Sequence, residues 1–303
     1  MSKDPVLITG GRGFVGRWIV DRMVAEGQPV VTYDRDPWPG RPGVTAVHGE
    51  LHDLPRLLAA IEEGGVRRII HTAGISHPDT SIEMPTATFF ANAMGTVQVF
   101  EAARITGVDR VVNFSTSSIY GNRPGPVAED LCPAPITPYG VSKVAGELLG
   151  KVYRSLYAVD VVSLRVFWVY GPGNRMPEYT NDLITAALSG ERFELGSGAA
   201  HPLPLVHADD VARAALLAVD APSPESGVYN VVGPDQPTLG ELAERIAALI
   251  PAACLDIGPG LLHLHQLGEV DGTLAAREIG YEPEWALDRG LEDYIAHLRT
   301  HDA

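Results

Sequence analysis

Tyr139 and Lys143, within Tyr139-Gly140-Val141-Ser142-Lys143, stand at a spacing that suits proton chemistry. On a helix, residues four apart lie one turn apart on the same face. An ordinary phenol, with a pKa near ~10, is a poor base at neutral pH. A nearby ammonium, aided by the charge of an oxidised nicotinamide, stabilises phenolate and moves the tyrosine toward general-base duty. Alone, such a pair usually marks a surface helix. Here a hydroxyl cluster, Ser115-Thr116-Ser117-Ser118, follows an apolar run upstream, and a glycine-rich turn lies near the N-terminus. Together these are the parts of an alcohol-oxidising site.

The elements that must position these groups start at the N-terminus. Val6-Leu7-Ile8 is a short apolar run leading into Thr9-Gly10-Gly11-Arg12-Gly13-Phe14-Val15-Gly16. A helical pattern follows to about Glu26, and a second apolar run begins at Val30-Val31-Thr32-Tyr33. Strand, glycine turn, helix and strand in that order form a dinucleotide-binding unit: the glycines permit a tight turn and close backbone approach to a pyrophosphate. The helix N-terminus then offers N–H groups to the phosphates. Asp34, at the end of the second strand, is placed to accept hydrogen bonds from both adenosine ribose hydroxyls and to repel a 2′-phosphate, so NAD is expected as cofactor. Arg35 keeps NADP as the less favoured alternative, because a guanidinium there can hold the extra phosphate.

Strands and helices go on alternating. Strands are expected at 44–47, 68–71, 110–114 and 160–165, and helices at 53–63, from Pro85 to about 104, and from Tyr139 to about 158. The hydroxyl cluster sits at the carboxyl end of the 110–114 strand, where open parallel sheets bind ligands. Residues 121–138, rich in proline and glycine, read as a loop covering the site. After Tyr170-Gly171-Pro172-Gly173 the alternation fades. Helices are expected at 180–188, 209–219, 273–279 and 288–298, with another opened by a capping box at Thr238-Leu239-Gly240-Glu241. A late strand at 228–232 returns to the sheet. The fold class is therefore α/β, a doubly wound parallel sheet of the Rossmann type with a smaller C-terminal substrate lobe. Residues 1–170 would form the cofactor-binding domain, rejoined by about 203–235, and 171–202 with 236–303 would form the lobe.

The 303 residues are 45% hydrophobic, ample for a large core. A formal charge of −15 disfavours nucleic acid and anionic membrane as partners. Cys132 and Cys254 are the only cysteines, so no disulfide framework is implied. No signal peptide or membrane-spanning run is evident, and a cytoplasmic location is expected. His263 and His265 lack the companions a metal site needs, so no metal is expected. Asp209-Asp210 reads as a helix N-cap, and His207 as a hydrogen-bonded residue at a lobe boundary.

The assembled residues resemble the extended short-chain dehydrogenase/reductase family, of the NAD-dependent epimerase/dehydratase type. The resemblance covers nearly the whole chain. It rests on the glycine turn, Asp34, the Ser115–Gly121 segment ending Tyr120-Gly121, Tyr139-x-x-x-Lys143, Leu164-Arg165 leading to Tyr170-Gly171-Pro172, and Val206-His207-Ala208-Asp209-Asp210-Val211. It implies that Gly10, Gly13, Phe14 and Val15 line the pyrophosphate, that Asp34 and Arg35 meet the adenosine ribose, and that Glu50 and Leu51 meet the adenine edge. Thr72, Ala73 and Gly74 would pass beneath the cofactor, Asn92 would lie near it, and Phe167 would pack at its nicotinamide end. Thr116 would hold the substrate oxygen, Tyr139 would act as base, and Lys143 would hold the nicotinamide ribose and lower the tyrosine pKa. Ser76, His77, Ser117, Ser118, Trp168 and Arg175 are the candidate substrate residues. A homodimer is also implied, paired through the helices around Asn92 and Tyr139.

Four departures narrow the substrate. Dehydratase members of the family carry an acidic residue two positions after the catalytic threonine, and here Ser117 and Ser118 follow Thr116, neither of them an acid, which disfavours dehydration. The segment from Ser76 to Ile82 is nonetheless similar to a dehydratase segment, and reads as part of the substrate pocket. Members that bind nucleotide sugars clamp a diphosphate, but the family's Asn is Trp168 here, its Arg is Leu203, and no Lys or Arg occurs from 246 to 276. A dehydrated diphosphate needs charged partners worth about 1.5–3 kcal/mol each. Arg175 and Arg192 are the available substitutes. The expected function is thus NAD-dependent hydride transfer from a secondary or anomeric hydroxyl of a sugar-like or polyhydroxylated small molecule. The alternatives are a nucleotide-sugar epimerase and a non-catalytic cofactor-binding regulator.

Overall fold

A computed structural model describes residues 4–36, 38–222, 224–262 and 266–301. Six strands, β1 (Val6–Thr9), β2 (Val30–Asp34), β3 (Val44–His48), β4 (Arg68–His71), β5 (Arg110–Thr116) and β6 (Asp160–Val166), form one sheet with a seventh, Val228–Val231. The order is β3-β2-β1-β4-β5-β6 and then Val228–Val231, with every pair parallel. The runs are short, apolar and mostly buried, as strands covered on both faces must be. One face packs on the helices Phe14–Ala25 and Ala208–Asp220 through Ile19, Val20, Met23, Ala212 and Ala215. The other packs on Leu54–Glu63, Gly95–Thr106 and Pro138–Tyr157 through Leu57, Ile61, Val99, Phe100 and Tyr153. The chain reverses direction across the sheet between β1 and β4. This opens a crevice at their carboxyl ends, the usual ligand position in such sheets.

The late strand joins the sheet beside β6, as expected. Elsewhere the expectations need revision. The helix expected from Pro85 begins earlier and in pieces: Pro78–Glu83, Pro85–Phe89, a π-helical turn Phe90–Met94, then Gly95–Thr106. Pro85 disfavours helical backbone at Met84, which takes φ −129° and ψ 62° and breaks the run. Four short strands escaped the sequence reading. Trp168–Tyr170 pairs with Leu205–His207, and Arg192–Leu195 with Cys254–Ile257, both in parallel. A third core, with Leu183, Leu242, Ile246, Leu291 and Tyr294, underlies this part.

The aspartate pair does not cap its helix. His207 is the N-cap, its Nδ1 accepting from the Asp209 N–H. With the backbone donor met by imidazole, the carboxylates tie elements together instead. Asp209 takes Arg22 and the Trp285 indole N–H, and Asp210 takes the N–H groups of Glu284 and Trp285. His207 stacks on Trp285 at 4.0 Å and meets the edge of Trp18 at 5.5 Å. His263 and His265 lie outside the described residues.

Residues 121–137 form a loop, stitched by backbone hydrogen bonds to residues 266–271. Arg123 N donates to Gln266 O, Gly268 N to Arg123 O, Val127 N to Glu269 O, and Asp271 N to Val127 O.

Candidate active site

The glycine turn leaves β1 and passes directly against the start of the segment after β4. Gly10 has φ +72°, and a Cβ there would lie 2.8 Å from the Ala73 Cα. A Cβ on Gly16 would lie 2.2 Å from the Gly10 carbonyl oxygen. Only glycine satisfies both positions. The helix Phe14–Ala25 follows at Gly13, with no side-chain cap and no acidic residue in its first turn. The N–H groups at Phe14 and Val15 therefore face outward as anion donors. Asp34 stands beside this turn: one oxygen accepts from Arg12 N at 3.0 Å and the other from Asp36 N at 3.1 Å. Each keeps a further lone pair for a ribose hydroxyl. Arg35 is exposed at the same strand end. Tyr33 OH donates to the Glu50 carbonyl at 2.9 Å, fixing the segment that carries Glu50 and Leu51.

The floor of the crevice is built from β4 onward. Thr72 Oγ1 donates to Thr9 O at 2.8 Å, and Gly74 takes φ +155°. A Cβ on Gly74 would meet Asn92 Oδ1 at 2.6 Å and lie 3.9 Å from Lys143 Nζ. Asn92, in the π-helical turn, accepts from Ile75 N and donates to Ile75 O and to Ser142 Oγ. Such turns recur where a helix aims a side chain at a site. Beneath them His71 bridges Thr9 and Thr96, and burial with the Lys143 charge pushes its pKa down to about 3, so it is neutral.

Tyr139, Lys143 and Thr116 come together at the carboxyl end of β5. Thr137 caps the helix Pro138–Tyr157 through the Gly140 N–H, so Tyr139 enters in the first turn. Burial raises the Tyr139 phenol, and its hydrogen bond with Thr116 offsets part of that rise. Lys143 Nζ donates to the Phe114 carbonyl at 2.8 Å and lies 5.9 Å from the Tyr139 ring centroid. Burial lowers Lys143 to about 8. The sequence had Lys143 as the group lowering the phenol, whereas here the group that lowers it is Thr116. Thr116 Oγ1 also receives the Ser118 N–H, and Ser117 and Ser118 are buried beside it.

Behind this trio lies a polar network that sequence reasoning missed. Glu147 and Arg165, each 3% exposed, form a two-bond ion pair at 3.0 and 2.8 Å. Ser115 Oγ donates to Glu147 at 2.5 Å. Arg165 continues to Tyr120 OH and the Glu129 carbonyl, Tyr120 to Asn230, and the Asn230 N–H to the Glu129 carboxylate. The one available signal was spacing, since Glu147 repeats the four-residue step of Tyr139 and Lys143.

The candidate substrate residues are more scattered. Ser76 and Arg175 are exposed, while His77 and Trp168 are half-buried. Phe167 is buried against Tyr120, their rings 6.2 Å apart. Leu203 is buried in the third core, and Arg192 is held by Asp256 at 2.8 Å.

A parallel sheet with a glycine turn at its switch point and a hydroxyl, phenol and ammonium at the end of β5 defines a dinucleotide-dependent oxidoreductase fold and site. The residues present fit NAD, with a glycine cradle no side chain can fill and an acidic residue at the ribose position. The model of the NAD dependent epimerase/dehydratase family matches residues 6–232, and the chain belongs to that family. It is 30% identical to a UDP-glucose 4-epimerase of Mycolicibacterium smegmatis over 97% of this chain and 98% of that protein. Among solved structures it is similar to a Thermus thermophilus UDP-glucose 4-epimerase in complex with NAD, at TM-score 0.87 and 28% identity over 98% of this chain and 99% of that one. MoeE5 in complex with UDP-glucuronic acid and NAD gives TM-score 0.88 and 29% identity, again over 98% and 99% of the two chains. The chain is thus an enzyme of the extended short-chain dehydrogenase/reductase type, with NAD as cofactor.

Proposed function

We propose that this enzyme oxidises a secondary or anomeric hydroxyl of a sugar-like or other polyhydroxylated small molecule that carries no nucleotide. The observation that carries the chemistry is the meeting of Thr116, Tyr139 and Lys143 at the carboxyl end of β5, across the crevice from the glycine turn. Thr116 hydrogen-bonds the substrate oxygen, and Tyr139 removes its proton. Lys143 holds the nicotinamide ribose and keeps positive charge near the phenol. NAD, when bound, would supply the acceptor for the hydride leaving the same carbon. Gly10, Gly13, Phe14 and Val15 meet the pyrophosphate, Asp34 and Arg35 the ribose, and Glu50 and Leu51 the adenine. Thr72, Ala73, Gly74, Asn92 and Phe167 line the rest of the cofactor path. Residues 171–202 and 236–303 act as the substrate lobe, with Ser76, His77, Ser117, Ser118, Trp168 and Arg175 facing the substrate.

The missing nucleotide rests on the clamp. Leu203 is buried in an apolar core, and Arg192 is already paired, so two positions that would meet a diphosphate offer it no free cation. Ser117 and Ser118 in place of acids argue against dehydration. The second reading, a nucleotide-sugar epimerase, draws support from the named relatives and from the exposed Arg175. A panel of uronic acids, aldoses, polyols and UDP-sugars, read by absorbance of reduced nicotinamide, separates the two. Steady build-up with a free sugar supports the first reading. Inverted configuration of a UDP-sugar without net reduction overturns it in favour of the second.

The enzyme acts in the cytoplasm as a homodimer. Supporting the dimer, Phe89, Phe90, Val141, Leu148, Val152 and Leu156 are exposed on the two helical segments beside the site, an apolar area that a second copy would cover. Leu148→Glu is expected to give a monomer in analytical ultracentrifugation. A wild-type protein that sediments as a monomer refutes the dimer.

A further inference from the structure

We propose that Glu147, gripped by Arg165 and Ser115, is a positioning residue that sets how deeply the helix carrying Tyr139 and Lys143 seats against β5 and β6. The proposal rests on the reading that Tyr139 and Lys143 perform the proton chemistry.

Tyr139, Lys143 and Glu147 follow one another at four-residue steps on one helix face. Each meets a different residue at the end of β5. Tyr139 bonds the Thr116 hydroxyl, Lys143 the Phe114 carbonyl and Glu147 the Ser115 hydroxyl. Only Glu147 is also bound to β6, through the paired bonds of Arg165. A lysine on its four-carbon stem can follow a helix that shifts, but a two-bond guanidinium–carboxylate pair holds its partners in one geometry. The helix is shaped to let the pair form. A Cβ on Gly150 would lie 2.8 Å from a Val161 methyl, so the backbone approaches the sheet closely just beyond Glu147.

Stability alone does not explain an ion pair in this position. Both groups are 3% exposed, and an apolar pair of similar volume there is commonly as stable or more so. What the pair supplies is a fixed spacing, and its surroundings reinforce it. Tyr120, Glu129 and Asn230 extend the pair into a closed network. If the pair is removed while the fold persists, the helix seats less tightly. The Tyr139 hydroxyl then draws away from Thr116, whose hydrogen bond lowers the phenol.

The test reads the Tyr139 phenol itself in NAD-loaded protein. Its ionisation is followed by ultraviolet absorption as pH is raised, and the same titration of Tyr139→Phe in each background is subtracted. In the double variant Glu147→Leu/Arg165→Met the midpoint is expected to rise by about 0.5–1 pH unit, the change for weakening the one hydrogen bond, worth about 1 kcal/mol, that favours the ionised phenol. NAD should remain bound. Ser115→Ala, which leaves the ion pair whole, should shift the midpoint the same way by less, and it decides the matter alone if the double variant does not fold. Unchanged midpoints in the folded variants overturn the proposal. A moved midpoint together with no reduction of NAD by any compound in the panel would instead count against the proposed reaction, so the two failures are distinguishable.

Discussion

Replacing Lys143 with methionine should make the cofactor-free protein more stable near neutral pH, and that gain should vanish in alkali. Burial brings Lys143 down from 10.5 to about 8, so folding disfavours its charged form. At about 1.4 kcal/mol per unit, a shift of this size removes about 3 kcal/mol of stability wherever the lysine is charged in both states. The side chain is not fully enclosed, and solvent screening trims this to about 2 kcal/mol. The sign follows from proton counts. Below about 8 the folded and unfolded chains both hold the proton, and the full penalty is present. Between about 8 and 10.5 only the unfolded chain holds it, so wild-type stability rises with pH relative to the variant. Above 10.5 neither chain holds it. Methionine also loses the bond to the Phe114 carbonyl, a pH-independent offset of about 1 kcal/mol. Urea unfolding of both proteins across this range measures the difference. The variant should lead by about 1 kcal/mol near neutrality, and the gap should change by about 2 kcal/mol in favour of the wild type by the alkaline end. A gap that does not vary with pH, or one that moves in the opposite sense, refutes the reasoning.

Three further outcomes are expected. Tyr139→Phe should retain NAD but lose about 10²–10⁴-fold in kcat with little change in KM, measured by nicotinamide absorbance. A variant with unchanged kcat would refute Tyr139 as the base. Asp34→Ala should weaken NAD and improve NADP relative to it, by about tenfold or more in the ratio of Kd values from fluorescence titration, because the repulsion of a 2′-phosphate is removed. Gly16→Ala, whose Cβ would press on the Gly10 carbonyl at 2.2 Å, should cost about 1–3 kcal/mol in denaturant unfolding and should abolish NAD retention on gel filtration.

The cofactor half was legible because each of its strands is a compact apolar run that pairs with a neighbour of the same kind. Val6–Thr9, Val30–Asp34 and Arg68–His71 each announce themselves locally, and glycine spacing locates the turn between the first two. The second half was not, for a physical reason. Trp168–Tyr170 and Cys254–Ile257 are three and four residues long and exist only through partners distant in sequence. Of the site, Tyr139 and Lys143 were singled out by type and spacing and Thr116 through the family resemblance, whereas the bond from Lys143 to the Phe114 carbonyl involves a backbone atom that every residue possesses. Glu147 and Arg165 were on the page as residues, but their pairing needs helix and β6 laid side by side. Asp209 misled because acids near a helix start usually cap it, and here an imidazole took that duty.

The main-chain ladder between 121–137 and 266–271 bears on anyone wishing to retarget this enzyme. Two stretches far apart in the gene are knitted into one ribbon, so grafting either one from a relative leaves half a seam. Chimaeras that exchange both stretches together should express and retain NAD more often than those that exchange one, and a library built on single-loop swaps would mostly sample torn proteins.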